Sequence, residues 1–274
     1  MKGKGNMIRT ELKRAFCSKA FWMSCGITLV MLAFGSSDCL ASRGDDIIIP
    51  KTWWIIYLNA VLLGMKTALP IFYPIVVMIP YVLSYRGDRD SGYRELILIK
   101  TSRKAYLRAK ILAVASSAFA TILLPCLGWI PVCRLLGVTD RSYEQYYRHM
   151  IHFAQSFYDK HPGWYLVMYA FHAALLGTVF AVVGLGLSAV LKNKYVALLL
   201  PFCYAIFASS ILTALLKDTF IGKSLEVMKL MPLQMHYSKK SYPLGFWTVP
   251  IYEVALVMIG LTLFIVGDYH VSET

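Results

Sequence analysis

Long apolar runs, separated by shorter charged segments, dominate the chain. A bilayer core about 30 Å thick takes roughly 20 apolar residues per helix, and in lipid only helices or closed barrels satisfy the backbone. The pattern therefore predicts an all-α membrane protein whose 274 residues form a single transmembrane domain. Six membrane-spanning helices are expected, at about 20–37, 67–85, 109–133, 164–190, 195–216 and 247–267.

The apolar stretch at 53–66 does not fit this series. It offers only about 13 residues before Lys66, which is too short to cross a bilayer alone. Two interpretations stay open: a helix lying at the outer interface, or an extension of the second span.

Three further segments alternate apolar and polar residues at helical spacing. In the segment at about 6–19, Ile8, Leu12 and Phe16 recur every four residues, which predicts an amphipathic helix lying in the lipid headgroup plane. The segments 142–158 and 219–231 show similar stripes and are expected to form amphipathic helices at the outer face, before the last span.

Composition supports the membrane interpretation. The chain is 58% hydrophobic and only 16% charged, with a mean hydropathy of +0.57. Its net charge of +13 does not favour nucleic-acid binding, because the basic residues cluster at the ends of apolar runs and not along one soluble face. Since cytoplasmic loops carry the excess of Lys and Arg, both termini are expected in the cytoplasm of a multi-pass cell-membrane protein.

The loop at about 86–108 is the most basic part of the chain. Apolar residues such as Leu96 and Ile99 interrupt its charges, and a Thr-Ser pair precedes a basic amphipathic run. This pattern predicts a helix along the cytoplasmic face that docks into a groove of another protein while neighbouring charges hold the lipid surface. The basic residues between Tyr85 and the third span are Arg86, Arg89, Arg94, Lys100, Arg103, Lys104, Arg108 and Lys110.

No catalytic or metal-binding residues are predicted. The "GKS" at 222–224 lacks the glycine that a phosphate-binding loop needs at position 217, which is Lys217, so no ATP site is expected in this chain. The six cysteines show no metal-binding spacing, and whether Cys39 and Cys133 pair is left open.

Ionisable groups in lipid are costly and therefore mark candidate functional positions. Three fall in or beside the predicted spans, His172, Glu253 and Lys66, and each is a candidate for a translocation path. The fourth span also carries Ala173, Gly177 and Ala181 at four-residue steps, which predicts close packing with a helix of this chain or of a second subunit.

Taken together, these features resemble the permease subunits of type 2 ABC transporters, the membrane proteins of bacterial ABC exporters. The likeness lies in the interfacial segment, the six spans, the charged loop after the second span and the outer amphipathic segments. Departures from the family pattern are Tyr93 in place of Thr, Lys100 in place of Pro and Asp90 in place of Glu. The loop positions that match the family pattern are Asp90, Gly92, Leu96, Ser102, Arg103 and Lys110.

The resemblance implies an export permease that does not itself hydrolyse ATP. Two separate ATPase subunits would hold ATP and magnesium, and a second permease, identical or different, would complete the path. The implied contacts to the ATPase are Asp90, Gly92, Tyr93, Arg94, Glu95, Lys100, Ser102 and Arg103. Membrane lipids are further partners, and the cargo classes considered are antimicrobial peptides, drugs and lipid-like molecules. Two alternatives remain: a membrane enzyme or accessory protein acting on lipid or peptide, and an ion-coupled secondary transporter.

Overall fold

The computed structural model of the protein describes residues 3–41, 52–63, 69–137, 155–206 and 248–271. These segments form helices joined by short turns, with no strand among them. The helices are α1 (Gly3–Phe16), α2 (Lys19–Ala41), α3 (Trp53–Leu58, continued by a π-helical turn at Asn59–Leu63), α4 (Leu69–Met78), α5 (Ser84–Asp90), α6 (Tyr93–Lys100), α7 (Arg103–Leu136), α8 (Gln155–Lys160), α9 (Pro162–Val190), α10 (Lys194–Ile206) and α11 (Thr248–Val271).

Four of the described helices are long and apolar enough to cross a membrane, by length and composition: Lys19–Ser37 of α2, all of α7, all of α9, and Pro250–His270 of α11. This confirms an all-α fold over the described residues and supports a membrane-embedded protein, whereas six crossings stay a prediction. The apolar helix of the second predicted span is shorter than expected, because α4 ends at Met78 and turns follow. The predicted outer amphipathic segment 219–231 lies outside the described residues, and so does most of the segment 142–158.

Helix α9 lies at the centre of the bundle and contacts α4, α7, α10 and α11. Its small-residue seam faces this chain: Ala173, Gly177 and Ala181 are all buried. A methyl group on Gly177 would come within 3.0 Å of the Tyr73 hydroxyl, so glycine lets α4 approach closely. The Tyr73 hydroxyl also donates a hydrogen bond to the carbonyl of Ala173.

A second close contact joins α9 to α11. At Gly260 a methyl group would lie 2.8 Å from the carbonyl oxygen of Val182, and Gly186 in turn faces the backbone of Gly260. Ala189 lies against Gly267 further along both helices, so α9 and α11 run parallel. The two helices approach closely because Gly186, Gly260 and Gly267 carry no side chain at the contact.

The short helix α3 is buried in the bundle and does not lie on its surface. All of its residues are at most 8% exposed, and its π-helical continuation brings Ala60 against Gly35 of α2. Arg134, near the end of α7, lies over the Trp53 ring at 5.6 Å. Burial argues against the first interpretation of this stretch, a helix lying at the outer interface. The second interpretation, an extension of the second span, stays a prediction because the residues between this stretch and α4 lie outside the described part of the chain.

Both ends of the described chain meet at one end of the bundle. Helix α1 packs against α7 and its Arg14 reaches Asp88 of α5, while Asp268 of α11 reaches Arg94 of α6. We call this the charged end. Helix α1 was expected to lie on lipid, but it buries Met7, Glu11 and Ala15 against protein, with Ile8 and Leu12 partly buried.

Replacing Gly260 with alanine is expected to force α9 and α11 apart, because the new methyl group would meet backbone atoms that cannot move aside. We expect a loss of about 1–3 kcal/mol in unfolding free energy, measured by thermal or denaturant unfolding in detergent. Gly128→Ala on α7 is the matched control, since a methyl group there meets nothing within 4 Å. Equal stability of the two variants would contradict the close packing.

Candidate functional site

The basic loop folds into two short helices at the charged end. Helix α5 ends at Asp90, and Gly92 takes the left-handed conformation (φ 70°) before α6 begins at Tyr93. Glycine is favoured here because other residues meet steric strain at positive φ. The turn lets α6 leave α5 at an angle, so that one face of α6 packs against the bundle while the other faces outward.

Four buried or half-buried charges, Glu11, Arg14, Asp88 and Lys110, connect α1, α5 and α7; we call them the charge cluster. The ammonium of Lys110, fully buried, lies 2.7 Å from Glu11 Oε2 and 2.6 Å from Asp88 Oδ2. Arg14 lies 2.8 Å from Glu11 Oε1 and 2.8 Å from Asp88 Oδ1. Two acids and two bases thus alternate, and the cluster carries no net charge.

Tyrosines complete the surroundings of the charge cluster. Tyr81 donates a hydrogen bond of 2.7 Å to Glu11, and Tyr106 donates one of 3.1 Å to Asp88. Burial alone would raise the pKa of Asp88, but the hydrogen bond from Arg14 and the nearby charge of Lys110 lower it below its ordinary value. Asp88 is therefore ionised at neutral pH, and it ties α5 to both α1 and α7.

A second buried acid, Asp268, fastens α6 to α11. Its Oδ1 accepts hydrogen bonds from Arg94 Nη2 at 2.7 Å and from the Tyr85 hydroxyl at 2.7 Å, and its Oδ2 accepts one from Arg103. Asp268 is fully buried and Arg94 is 4% exposed. Burial would lower the pKa of Arg94, but the hydrogen bond and charge of Asp268 raise it. We call these residues the Asp268 clamp.

The residues predicted to contact an ATPase divide into two groups. Arg94 and Arg103 point inward and hold the Asp268 clamp. The others lie on the exposed side: Asp90, Gly92, Tyr93, Glu95, Lys100 and Ser102. Asp90 forms an ion pair with Arg86, at 2.9 Å, within its own helix.

The outward face of α6 is apolar at its centre. Leu96 and Ile99 are 62% and 80% exposed, and Tyr93 begins the same stripe one turn earlier. Ile97 and Leu98 pack against the hydrophobic core. Residues three apart share one face of a helix, so Tyr93, Leu96 and Ile99 form a single stripe directed away from the bundle.

Sequence reasoning missed five acids and bases of these networks as site residues: Glu11, Arg14, Asp88, Lys110 and Asp268. Glu11 and Arg14 stand three residues apart on an amphipathic helix, which signals a pair on one helical face. Lys110 and Asp268 each lie at the end of an apolar run. A charged residue at such a position marks the membrane boundary as readily as it indicates a buried ion pair.

The candidate path residues lie away from the charged end. Between α9 and α11, His172 Nε2 lies 3.9 Å from Glu253 Oε1, and both side chains are partly exposed, at 24% and 17%. Lys66 lies outside the described residues. The structure therefore brings two of the three candidates together, in the part of the bundle nearer the start of α9.

Substituting Lys110 with methionine should remove the cation that Glu11 and Asp88 share. Because breaking a buried ion pair leaves uncompensated charge, we expect a loss of about 3–5 kcal/mol in unfolding free energy, measured in detergent. Adding Glu11→Gln to Lys110→Met should recover part of that loss through a coupling energy of about 0.5–3 kcal/mol. Lys104→Met, an exposed site on the same helix, is the control, with an expected effect within about 0.5 kcal/mol. Strict additivity of the two cluster substitutions would argue against direct coupling.

The charged end thus presents an apolar stripe on a short helix, α6, that a buried ion pair holds to α11. The preceding helix, α5, is held to α1 and α7 by the charge cluster. Comparisons of the chain with protein-family models, with curated proteins and with solved structures found no match. The features on which function can be argued are the exposed stripe, the charge cluster, the Asp268 clamp and the His172–Glu253 pair.

Proposed function

We propose that the protein is the membrane-spanning permease subunit of an ATP-driven exporter of the type 2 ABC class. The observation that carries the proposal is the outward apolar stripe of α6, formed by Tyr93, Leu96 and Ile99 at the charged end. Exposed leucine and isoleucine side chains at the polar end of a membrane bundle gain by docking against another protein. The partner is a separate ATPase subunit, which binds ATP and magnesium.

Helix α6 is suited to transmit movement because it is short and firmly held. An isolated helix of eight residues is unstable in water, so its order depends on contacts with the rest of the protein. Arg94 provides the main contact between α6 and the rest of the protein, through its buried hydrogen bonds to Asp268. A force on the stripe therefore reaches α11 directly.

The charge cluster provides a second route. Asp88 lies in α5, the helix just before α6, and its bonds to Arg14 and Lys110 connect that helix to α1 and α7. Packed helices tend to switch between discrete arrangements and to resist continuous deformation. Closure of two ATPase subunits beneath two permeases would thus shift the ends of α7 and α11 together.

The path for cargo lies beside α9 and α11 in this proposal. His172 and Glu253 place a polar pair there, about 15 Å along α9 from its first residue at 1.5 Å per residue. Only 17% of the apolar stretch of α11 is buried within the described structure. The exposed remainder is a surface on which a second permease could pack. Cargo of the antimicrobial-peptide, drug or lipid-like classes is compatible with a path that combines apolar walls and one polar pair.

Removing the apolar stripe should uncouple the ATPase without unfolding the permease. The double substitution Leu96→Ser and Ile99→Ser is expected to reduce the ATPase copurified in mild detergent by tenfold or more, since buried apolar anchors dominate such interfaces. Thermal unfolding should stay unchanged because both side chains are exposed. The control is Leu135→Ser with Leu136→Ser, two exposed leucines at the far end of α7. Undiminished copurification with a functional ATPase would reject the assignment.

The charged end is proposed to face the cytoplasm. In a background without native cysteines, Ser91→Cys at the exposed turn should resist impermeant thiol reagents added to intact cells, whereas Leu135→Cys should react. Permeabilising the cells should make the cysteine at position 91 react as well. Labelling at 91 in intact cells, with protection at 135, would invert the orientation and reject an intracellular ATPase at this end.

A further inference from the structure

A cleft opens at the charged end beside α5. Its volume is about 410 Å³, and it is lined by Asp90, Lys192, Asn193, Lys194 and Tyr195. It therefore lies between the last residue of α5 and the turn that joins α9 to α10. The Arg86 guanidinium ties α5 to this turn by donating a 3.2 Å hydrogen bond to the carbonyl of Leu191.

The charge of this cleft is positive. Among the described residues that line the cleft, Asp90 is the one acid, and its negative charge is balanced by an ion pair with Arg86 at 2.9 Å. Within the part of the chain that the structure describes, neither Lys192 nor Lys194 forms an ion pair with an acid. The Lys194 ammonium lies 5.3 Å from the centre of the Tyr195 ring, which holds it at the cleft.

The positive character comes from side chains and not from the start of α10. Asn193 Oδ1 accepts the backbone N–H groups of Tyr195 and Val196, at 2.9 and 3.4 Å. These two amides are therefore occupied by a helix cap. Two ammonium groups and the Tyr195 hydroxyl remain as the donors available to a bound anion.

An apolar surface continues directly from the cleft along α10. Val196, Leu199 and Leu200 are each more than 40% exposed, and Val190 at the end of α9 is 49% exposed. A bundle in a membrane presents such residues to acyl chains. The cleft thus lies where the lipid-facing surface meets the charged end, which is the level of phospholipid headgroups.

We propose that the cleft binds the phosphate of an anionic phospholipid, with Lys192 and Lys194 as its cationic contacts and Tyr195 as a hydrogen-bond donor. One acyl chain lies along the exposed face of α10. Anionic headgroups are attracted by clustered lysines at a membrane surface. Asp90 of α5 borders the cleft, so the bound lipid lies beside the helix that carries Asp88.

A free phosphate ion offers the same charge but would not use the apolar surface of α10. The phosphate bound in the cleft is therefore assigned to a lipid, and competition with inorganic phosphate distinguishes the lipid from the free ion. The proposal requires only that the protein is embedded in a membrane, so its outcome is separate from that of the ATPase-docking experiments.

The test is native mass spectrometry of the protein released from vesicles of equal parts phosphatidylglycerol and phosphatidylcholine. The wild type should retain phosphatidylglycerol in preference to phosphatidylcholine. Lys192→Gln with Lys194→Gln should weaken that retention by about thirtyfold, at roughly fivefold for each lysine near an anionic surface. The matched control, Lys104→Gln with Arg108→Gln, removes two exposed charges from α7 at the same end and should retain the lipid as the wild type does.

Three results would overturn the proposal. The first is unchanged retention in the cleft variant, and the second is an equal loss in both double variants, which would indicate general surface attraction. The third is displacement of the lipid by millimolar inorganic phosphate, which would assign the cleft to a free anion. An unchanged unfolding temperature in the cleft variant is expected, because both lysines are exposed, and it separates lost binding from lost structure.

Discussion

The charged end depends on the burial of the carboxylates of Asp88 and Asp268, together with that of Glu11, in a protein that is otherwise strongly apolar. A buried carboxylate is stable only when cations and hydrogen-bond donors surround it. Here the donors come from distant parts of the chain: Arg14 and Lys110 for the first acid, Arg94 and Arg103 for the second. The position of the loop helices is therefore fixed by electrostatic pairing, whereas the rest of the bundle is fixed by close apolar packing.

Close apolar packing and electrostatic pairing occur in different parts of the molecule. Along α9, glycines allow neighbouring helices to approach closely and leave little room for adjustment, as at Gly177 against the Tyr73 side chain and at Gly186 against the backbone of Gly260. At the charged end, long side chains bridge the helices, and a guanidinium or ammonium can keep its partner while a helix shifts slightly. The bundle thus combines a tightly packed centre with an end whose helices are linked by long charged side chains.

Much of this arrangement could be predicted from the sequence, and the exceptions have physical reasons. Apolar length identified the cores of α2, α7, α9 and α11, because membrane thickness sets helix length whatever the packing. The burial of residues 53–58 could not be predicted from the sequence, since a short apolar run looks the same on lipid and inside a bundle. Arg94 was predicted to face a partner, but periodicity in an eight-residue helix cannot reveal that Asp268, far along the chain, lies opposite. Glu11 was hidden for the same reason, because its cation Lys110 lies on another helix.

The Asp268 clamp has a consequence for biosynthesis. Arg94 precedes Asp268 by 174 positions, so the ribosome makes the arginine and the loop around it long before the acid exists. Until α11 inserts, the guanidinium has to remain hydrated and the eight residues of α6 lack their main tether. The face that α6 presents is thus assembled only after the last described helix enters the membrane, which delays the maturation of that surface until the bundle is nearly whole.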